Sequence, residues 1–339
     1  MCRKSRSPRG RRALRVIGIA EIEAAAERLG DVVVRTPLLQ SAELDRAAGG
    51  TVLIKPECFQ EIGSFKIRGA YNLLSQLTPE QAKKGVVAWS SGNHAQGVAL
   101  AGKLLGIHAA IVMPADAPAA KLENTRRLGG EIITYDRYTE DREAIARDVA
   151  AERGAEIVPS YEDVRIIAGQ GTVGLEIADQ SVELGAPVDS VLINCGGGGL
   201  TAGSAIALKS RLPDVDVYTV EPEEFDDTAR SLASGERVAI RDDARSICDA
   251  LLTDMPGQLT FDIMSEHVNC GLTVSDAEVR EAMRFAFRHL KIVVEPGGAA
   301  GLAAILAGKV DTTGKTTAIV FSGGNVDVEL FASIQIELA

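Results

Sequence analysis

Short apolar runs alternate with amphipathic segments along most of the chain, and this alternation restricts the fold more than any other feature of the sequence. Runs such as 85–90 and 107–114 are rich in apolar residues, and the segment 93–106 between them has helical spacing and ends in glycine. Strands that alternate with helices and are apolar throughout are typical of parallel sheets covered on both faces. The sequence therefore predicts an α/β fold with two open, parallel-rich sheets.

The alternation falls into two series, which predict two domains. We expect residues 82–158 to form a smaller α/β domain inserted into a larger one made of residues 16–81 and 159–339. Residues 1–15 contain seven Lys or Arg and no acid precedes Glu21, so this segment is predicted to be a disordered basic extension. Two helix starts are also marked, by a capping box at Ser275 and Glu278 and by the stretch Thr78–Gln81.

Charge and cysteine content exclude several classes of protein. The net charge is −11, and the chain beyond the basic segment carries −18, which argues against nucleic acid as the main partner. No apolar run approaches the roughly 18 residues that a membrane span needs. The cysteines are odd in number and scattered without a CxxC pair, which predicts reduced thiols in a cytoplasmic protein. They are Cys2, Cys58, Cys195, Cys248 and Cys270.

Four consecutive glycines stand between a predicted strand and a predicted helix. They are Gly196, Gly197, Gly198 and Gly199. Without Cβ atoms, such a loop can turn several backbone N–H groups toward one anion, and the helix N-terminus adds positive potential. A tight turn is the alternative, but a turn rarely needs four glycines in a row. The loop is therefore predicted to bind a phosphate, whereas a dinucleotide fingerprint fits poorly because its third glycine would fall on Thr201.

Lys66 has an unusual neighbourhood, since it stands between Phe65 and Ile67 and near two glycines. Its stem could cover apolar surface while the ammonium reaches water. Alternatively, its amine could act as a nucleophile, which requires a sheltered site. Local sequence alone leaves both interpretations open.

The stretch 90–97 places hydroxyl and amide side chains at a predicted helix start. Backbone N–H groups at such a start can hold a small carboxylate. The residues concerned are Ser91, Gly92, Asn93 and His94. Simple capping of the helix is the alternative, and most histidines at such positions are merely hydrogen-bonded.

These stretches together resemble the fold-type II pyridoxal-phosphate enzymes, in particular the threonine/serine dehydratase and serine racemase group. The resemblance rests on four motifs in the same order, at residues 55–70, 90–97, 195–200 and 321–325, and extends over roughly residues 16–330. It implies a tryptophan synthase β-like fold and a bound pyridoxal 5'-phosphate.

The resemblance also implies a role for each matching residue. Lys66 would form a Schiff base with the cofactor and later act as a base beside Cα. Phe65 would pack against the cofactor ring, Asn93 would bond its 3-hydroxyl, and Ser322 would face the pyridine nitrogen. Glu295 would lie near the ring, although a turn at a helix start would equally explain this residue. The phosphate would be held by the backbone amides of Gly196, Gly197, Gly198, Gly199 and Leu200.

Ser91 adds a second reaction to these expectations. The resemblance places a serine here in serine racemases, on the opposite face of the cofactor from Lys66. We therefore expect Lys66 and Ser91 to flank Cα, which would permit racemisation by two bases. Capping of the helix by Ser91 is the alternative.

An acidic stretch that follows a predicted strand, residues 221–227, is a candidate metal site. By resemblance, Glu221, the carbonyl of Phe225 and Asp227 would surround a divalent cation. Oxygen ligands completed by water suit Mg²⁺ or Ca²⁺. A solvated acidic loop is the alternative.

The sequence thus predicts a pyridoxal-phosphate-dependent ammonia-lyase acting on a small β-hydroxy amino acid, namely threonine or serine, with 3-hydroxyaspartate as a further candidate. The nearest alternative is a serine racemase with dehydratase side activity, and a more distant one is a ligand-binding regulator without catalysis. The resemblance further implies a homo-oligomer, either a dimer or a tetramer, with a small amino acid as its partner. The cysteines, the charge and the apolar runs predict a cytoplasmic location and neither nucleic acid nor membrane as a partner.

Overall fold

The computed structural model describes residues 17–117 and 119–336 of the chain. The predicted basic extension at residues 1–15 lies outside the described residues. No helix in the described ranges is long and apolar enough to cross a membrane.

Strands and helices alternate along the described chain as the apolar pattern predicts. The strands are β1 (Leu39–Gln40), β2 (Thr51–Lys55), β3 (Val86–Trp89), β4 (Ala109–Pro114), β5 (Glu131–Tyr135), β6 (Glu156–Ile157), β7 (Ser190–Asn194), β8 (Asp216–Pro222), β9 (Cys270–Val274) and β10 (Thr316–Val320). The helices are α1 (Ile19–Leu29), α2 (Ala42–Ala48), α3 (Lys66–Leu74), α4 (Pro79–Lys84), α5 (Asn93–Leu105), α6 (Ala119–Arg127), α7 (Arg142–Arg153), α8 (Val164–Glu183), α9 (Gly199–Arg211), α10 (Asp227–Ser234), α11 (Gln258–His267), α12 (Asp276–Phe285), α13 (Pro296–Leu306) and α14 (Val328–Ile336).

The larger of two sheets has six strands in the order β1-β2-β10-β7-β8-β9. Only β1 runs antiparallel to its neighbour, and the other strands are parallel. Lys55 pairs with Val320 and Asn194 pairs with Val220, so the carboxyl ends of these strands share one edge. Ligands in open α/β sheets bind outside this edge.

Alternate residues of the larger sheet enter cores on its two faces. Ile54 and Ile319 pack into the core that contains α12 and α13. Leu53 and Val191 point the other way, into a core with residues of α8 and α9. The predicted α/β class with parallel-rich sheets is therefore confirmed, because both faces of the larger sheet are covered.

The smaller sheet has four parallel strands in the order β5-β4-β3-β6, all within residues 86–157. The strands of the larger sheet come from both sides of this segment. The domain boundaries at residues 82 and 158 remain our prediction.

Two local predictions are confirmed and one needs correction. Thr78 caps α4 and Ser275 caps α12, each in a capping box. Reduced thiols are confirmed at three cysteines: Cys58, Cys195 and Cys248. The prediction is wrong for Cys270, which is disulfide-bonded. Cys270 begins the edge strand β9 and is only half-buried, so its thiol is accessible for pairing; Cys2 lies outside the described residues.

Candidate active site

Lys66 is the first residue of α3, and backbone contacts bring it to the carboxyl edge of the larger sheet. Phe65 N–H donates to the carbonyl of Ser322 at 3.1 Å, and Ser64 forms an antiparallel bridge with Gly323. The Lys66 ammonium lies 5.2 Å from the centroid of the Phe65 ring and donates to the carbonyl of Ser160 at 3.1 Å. The ammonium therefore does not snorkel into water, as the first interpretation required.

Burial changes the protonation of Lys66. Desolvation lowers the pKa of its ammonium to about 8, although the carboxylate of Glu295 acts in the opposite direction. The side chain as a whole is half-buried, so part of it remains accessible. A partly accessible amine with a lowered pKa suits a nucleophile or a base.

The four glycines form a tight loop between β7 and α9. Gly198 has φ +88°, in the left-handed region that favours glycine. A Cβ atom on Gly197 would lie 2.1 Å from the Tyr161 ring, so no larger residue fits without movement. The carbonyl of Gly197 accepts a bond from the Thr260 hydroxyl at 2.8 Å. Within the described residues, the N–H groups from Gly196 to Leu200 have no hydrogen-bond partner, which suits an anion cradle.

Ser322 follows β10 and is buried beside the end of β7. The side-chain amide of Asn194 donates to the Ser322 hydroxyl at 3.2 Å and to the carbonyls of Gly298 and Val320 at 2.9 and 3.0 Å. Gly301 N–H in turn donates to the Asn194 side-chain oxygen at 2.8 Å. The Asn194 side chain thus fixes the position of Ser322, a role that sequence reasoning did not identify.

Asn93, Glu295 and Asn325 form a chain of hydrogen bonds above the start of α3. Asn93 Nδ2 donates to Glu295 Oε1 at 2.7 Å, and Asn325 Nδ2 donates to Asn93 Oδ1 at 2.7 Å. Glu295 is buried at the start of α13, where desolvation and the Asp249 carboxylate raise its pKa to about 7. Glu295 is therefore part of the site and not merely a residue of the turn before α13.

The start of α5 presents backbone N–H groups beside these residues. Gly92 is the N-cap of α5, and its N–H donates to the hydroxyl of Ser90 at 3.2 Å. Ser91 is half-buried, and its hydroxyl has no hydrogen-bond partner in the described part of the chain. Capping therefore does not explain Ser91.

His94 is buried in the first turn of α5. Its Nε2 lies 2.9 Å from the carbonyl of Val158, and its Nδ1 is buried without a partner among the described residues. Burial, together with the Lys66 ammonium, lowers the pKa of the imidazole to about 3. The ring is therefore neutral at ordinary pH, and the His94 backbone N–H remains as a possible donor to a ligand.

Glu221 lies near the end of β8, and Asp227 begins α10 shortly after it. Glu221 accepts bonds from the N–H groups of Thr228 and Ala229 at 2.8 and 2.7 Å. Its pKa is raised well above its ordinary value by burial and by Asp227. Burial also raises the pKa of Asp227 to about 7, and Asp227 Oδ2 has no partner among the described residues. Two adjacent buried carboxylates suit a hard cation.

Phe225, the third residue predicted at the metal site, is buried in the turn between them. Its own N–H donates to the carbonyl of Pro222 at 2.9 Å. No group of three or more His, Cys, Asp or Glu side chains suitable for a metal occurs in the described ranges. The predicted site has only two such side chains, Glu221 and Asp227, together with the Phe225 carbonyl, so the metal site stays a prediction.

Sequence reasoning missed Tyr161, whose ring packs on the glycine loop. The stretch 160–162 also supplies the carbonyl that accepts from Lys66 and the Glu162 carboxylate that accepts from Leu259 N–H at 2.6 Å. Nothing local marks Tyr161, because its partner Gly197 lies far along the chain. An alignment of related chains is the signal that would have identified it.

Comparison with known proteins gives one consistent result. The family model of pyridoxal-phosphate-dependent enzymes matches residues 29–323. An L-threo-3-hydroxyaspartate ammonia-lyase of Pseudomonas sp is 47% identical over 93% of this chain and 97% of its own length. A serine racemase of Schizosaccharomyces pombe is 43% identical over 92% of this chain and 95% of its own length. The solved structure of maize serine racemase superposes with a TM-score of 0.88, at 39% identity over 93% of this chain and 96% of that one.

Proposed function

The chain belongs to the family of pyridoxal-phosphate-dependent enzymes, and we propose that it is an ammonia-lyase for a small β-hydroxy amino acid. The products are the corresponding 2-oxo acid and ammonia. One observation carries the proposal above all others. Lys66, with its lowered pKa, lies at the end of the larger sheet together with an anion cradle and a fixed Ser322.

The residues present fit pyridoxal phosphate. The unpaired N–H groups from Gly196 to Leu200 would hold its phosphate, Ser322 would face its pyridine nitrogen, and Asn93 would bond its 3-hydroxyl. When bound, the cofactor supplies an electron sink for the carbanion at Cα. A neutral hydroxyl at Ser322 suits an unprotonated ring nitrogen better than a carboxylate would.

Lys66 would hold the cofactor and then take the α-proton of the substrate. An amine can accept a proton only when it is neutral, and an ordinary lysine is almost entirely protonated at pH 7. With a pKa of about 8, roughly one Lys66 amine in ten is neutral at pH 7. The carbonyl of Ser160 gives the free amine a defined position.

The α-carboxylate of the substrate would bind at the start of α5. The N–H groups of residues 91–94 lie at a helix N-terminus, which favours an anion. The Ser91 hydroxyl belongs to the same turn and is not used for capping. By the resemblance to serine racemases, Ser91 would face Cα from the side opposite to Lys66.

L-threo-3-hydroxyaspartate is the substrate that we propose first, ahead of threonine and serine. The sequence alone favours threonine and serine, with 3-hydroxyaspartate as a further candidate, and we reverse that order. The support for this order is the name and the 47% identity of the Pseudomonas relative. Removal of water from this substrate and hydrolysis would give oxaloacetate and ammonia.

Serine racemase is the second candidate, because the half-buried Ser91 hydroxyl does not cap α5 and would be available to exchange a proton at Cα. A relative of that name is 43% identical. The two reactions share the removal of the α-proton and differ in its fate. A racemase returns a proton to the other face, whereas a lyase expels the β-hydroxyl.

A divalent cation, Mg²⁺ or Ca²⁺, would bind between Glu221, the Phe225 carbonyl and Asp227. The support is the unpaired Asp227 Oδ2 and the proximity of a second buried carboxylate. We propose a structural role for this cation, since its ligands are separate from the Lys66 site. The residue division into domains, a homo-oligomer and a cytoplasmic location are further proposals from the sequence.

The test is a substrate panel with the purified holoenzyme. L-threo-3-hydroxyaspartate, L-threonine and L-serine, with their other stereoisomers, would be assayed for 2-oxo acid, ammonia and enantiomer in the same reaction. We expect 2-oxo acid and ammonia in equal amounts, and their loss in Lys66→Ala together with the visible absorbance of the bound cofactor. An enantiomer formed faster than the 2-oxo acid would favour the racemase. A wild-type protein without cofactor absorbance or turnover would instead favour a regulator.

A further inference from the structure

Beside the proposed active site, an ion pair joins an element packed against the smaller sheet to an element packed on a helix of the larger sheet. Lys121 lies in the first turn of α6, and its Nζ atom is 3.1 Å from the Oδ2 atom of Asp249. Helix α6 packs against α5 and β5 of the smaller sheet, whereas Asp249 begins a short 3-10 turn, Asp249–Leu251, that packs on α13 of the larger one. The proposed catalytic steps use neither residue.

Several contacts place this pair next to the reaction centre. Ala250 and Leu251, which follow Asp249, lie against Gly196 of the glycine loop and against Gly297 of α13. Asp249 and Lys121 both act electrostatically on the buried carboxyl of Glu295. Glu295 in turn accepts a hydrogen bond from Asn93 and acts on the ammonium of Lys66. The pair and Lys66 thus belong to one electrostatic cluster.

A dicarboxylic substrate needs a cation at this place. The α-carboxylate would occupy the start of α5, and the side-chain carboxylate would then lie beside the buried Glu295 carboxyl. An unpaired carboxylate there is unfavourable unless a positive group meets it. Lys121 is a cation whose charge acts on Glu295 and lowers the pKa of that carboxyl.

We infer that Lys121 binds the side-chain carboxylate of a dicarboxylic β-hydroxy amino acid, and that Asp249 forms an ion pair with the Lys121 ammonium until the substrate binds. This inference rests on the proposed lyase function and names the residue that selects its substrate. Two observations make the exchange feasible. Asp249 is 59% exposed, so its carboxylate can return to water, and the pair has one contact and not a bidentate geometry.

The experiment compares substrates in holoenzyme variants. In Lys121→Met, the ratio of kcat/KM for L-threo-3-hydroxyaspartate to kcat/KM for L-serine should fall by about 10- to 100-fold, the loss expected for a charge-assisted hydrogen bond. Lys121→Arg should restore most of the ratio. In Asp249→Asn, KM for hydroxyaspartate should fall, because the competing carboxylate is gone.

Arg137→Met is the matched control, since Arg137 makes an exposed ion pair with Asp116 at 2.8 Å in the same part of the chain. It should leave the substrate ratio unchanged. If both Lys121→Met and Asp249→Asn lost kcat/KM equally for the two substrates, the pair would have only a structural role and the inference would be overturned. A wild-type enzyme that used serine but not hydroxyaspartate would also overturn it, whereas inactivity toward every substrate would refute the proposed function itself.

Discussion

Replacement of Glu57 by Gln should strongly destabilise the protein, because Glu57 belongs to a buried group of four charges next to Lys66. Both Glu57 oxygens accept bonds from Arg68, at 2.8 and 2.9 Å. Arg68 also donates to Glu176 at 2.7 and 3.0 Å, and Lys55 donates to Glu176 at 2.6 Å. The side chains of Lys55, Glu57 and Arg68 are fully buried, and that of Glu176 is 15% exposed.

The magnitude follows from this arrangement. Two cations face two carboxylates, so Glu57→Gln leaves one buried positive charge without a partner. Breaking such a pair typically lowers the free energy of unfolding by about 3–5 kcal/mol. The exposed pair between Arg46 and Glu43 gives a control, since its loss in Glu43→Gln should amount to less than about 1 kcal/mol.

Urea unfolding, followed by the fluorescence of Trp89, measures both variants. Trp89 is the sole tryptophan, and circular dichroism would show whether a second probe gives the same transition. A loss in Glu57→Gln no larger than that of Glu43→Gln, at an unchanged m-value, would refute the reasoning. Since Arg68 lies in the first turn of α3, the variant should also bind the cofactor more weakly.

The effect of pH on Glu57 has a defined sign. Burial alone would raise the pKa of Glu57, but Arg68, Lys55 and Thr36 together outweigh burial and hold the pKa below its ordinary value of 4.5. The native state therefore favours the charged form. The stability advantage of wild type over Glu57→Gln is present above pH 4.5 and should shrink as the pH falls below it.

Four further changes test other parts of the site. Ser91→Ala should abolish racemisation and retain elimination, so intact racemisation in this variant would remove Ser91 from the reaction. In Glu295→Gln, the free energy of unfolding should rise relative to that of wild type by about 3 kcal/mol in total as the pH increases from 4.5 to 7, because the raised pKa of Glu295, about 7, makes its ionisation unfavourable in the fold. A difference between the two proteins that does not change with pH would contradict this. Mg²⁺ should raise the Tm of wild type but not of Asp227→Asn, and a wild-type Tm insensitive to both chelator and Mg²⁺ would count against the cation. Gly197→Ala should weaken cofactor binding by about tenfold or more, since the new methyl meets the Tyr161 ring; unchanged affinity would show that the loop can shift freely.

Motifs that are contiguous in the chain could be predicted from the sequence. Four glycines in a row have few explanations other than close approach of a ligand to the backbone, and Lys66 beside Phe65 was recognisable as unusual, although its local sequence left a snorkelling and a nucleophilic amine both open. The alternation of apolar runs likewise predicted parallel sheets, because its period and length are local properties. Each of these inferences needed no knowledge of which segments meet.

The tertiary structure decided which distant groups act together. Asn194 reaches Ser322 across 128 positions, and Asn93 reaches Glu295 across 202. Parallel pairing brings the carboxyl ends of β7 and β10 together, and no local pattern records which strands pair. The same reason hid the Tyr161 contact with the glycine loop and the Lys121–Asp249 pair.

Protonation was decided by the fold as well. Whether a lysine or a glutamate is desolvated depends on what packs over it. Burial lowers the pKa of Lys66, and burial together with the Asp249 carboxylate raises the pKa of Glu295. The sequence by itself determined the chemical inventory and the fold class. The packing of distant segments determined which of those groups became a site.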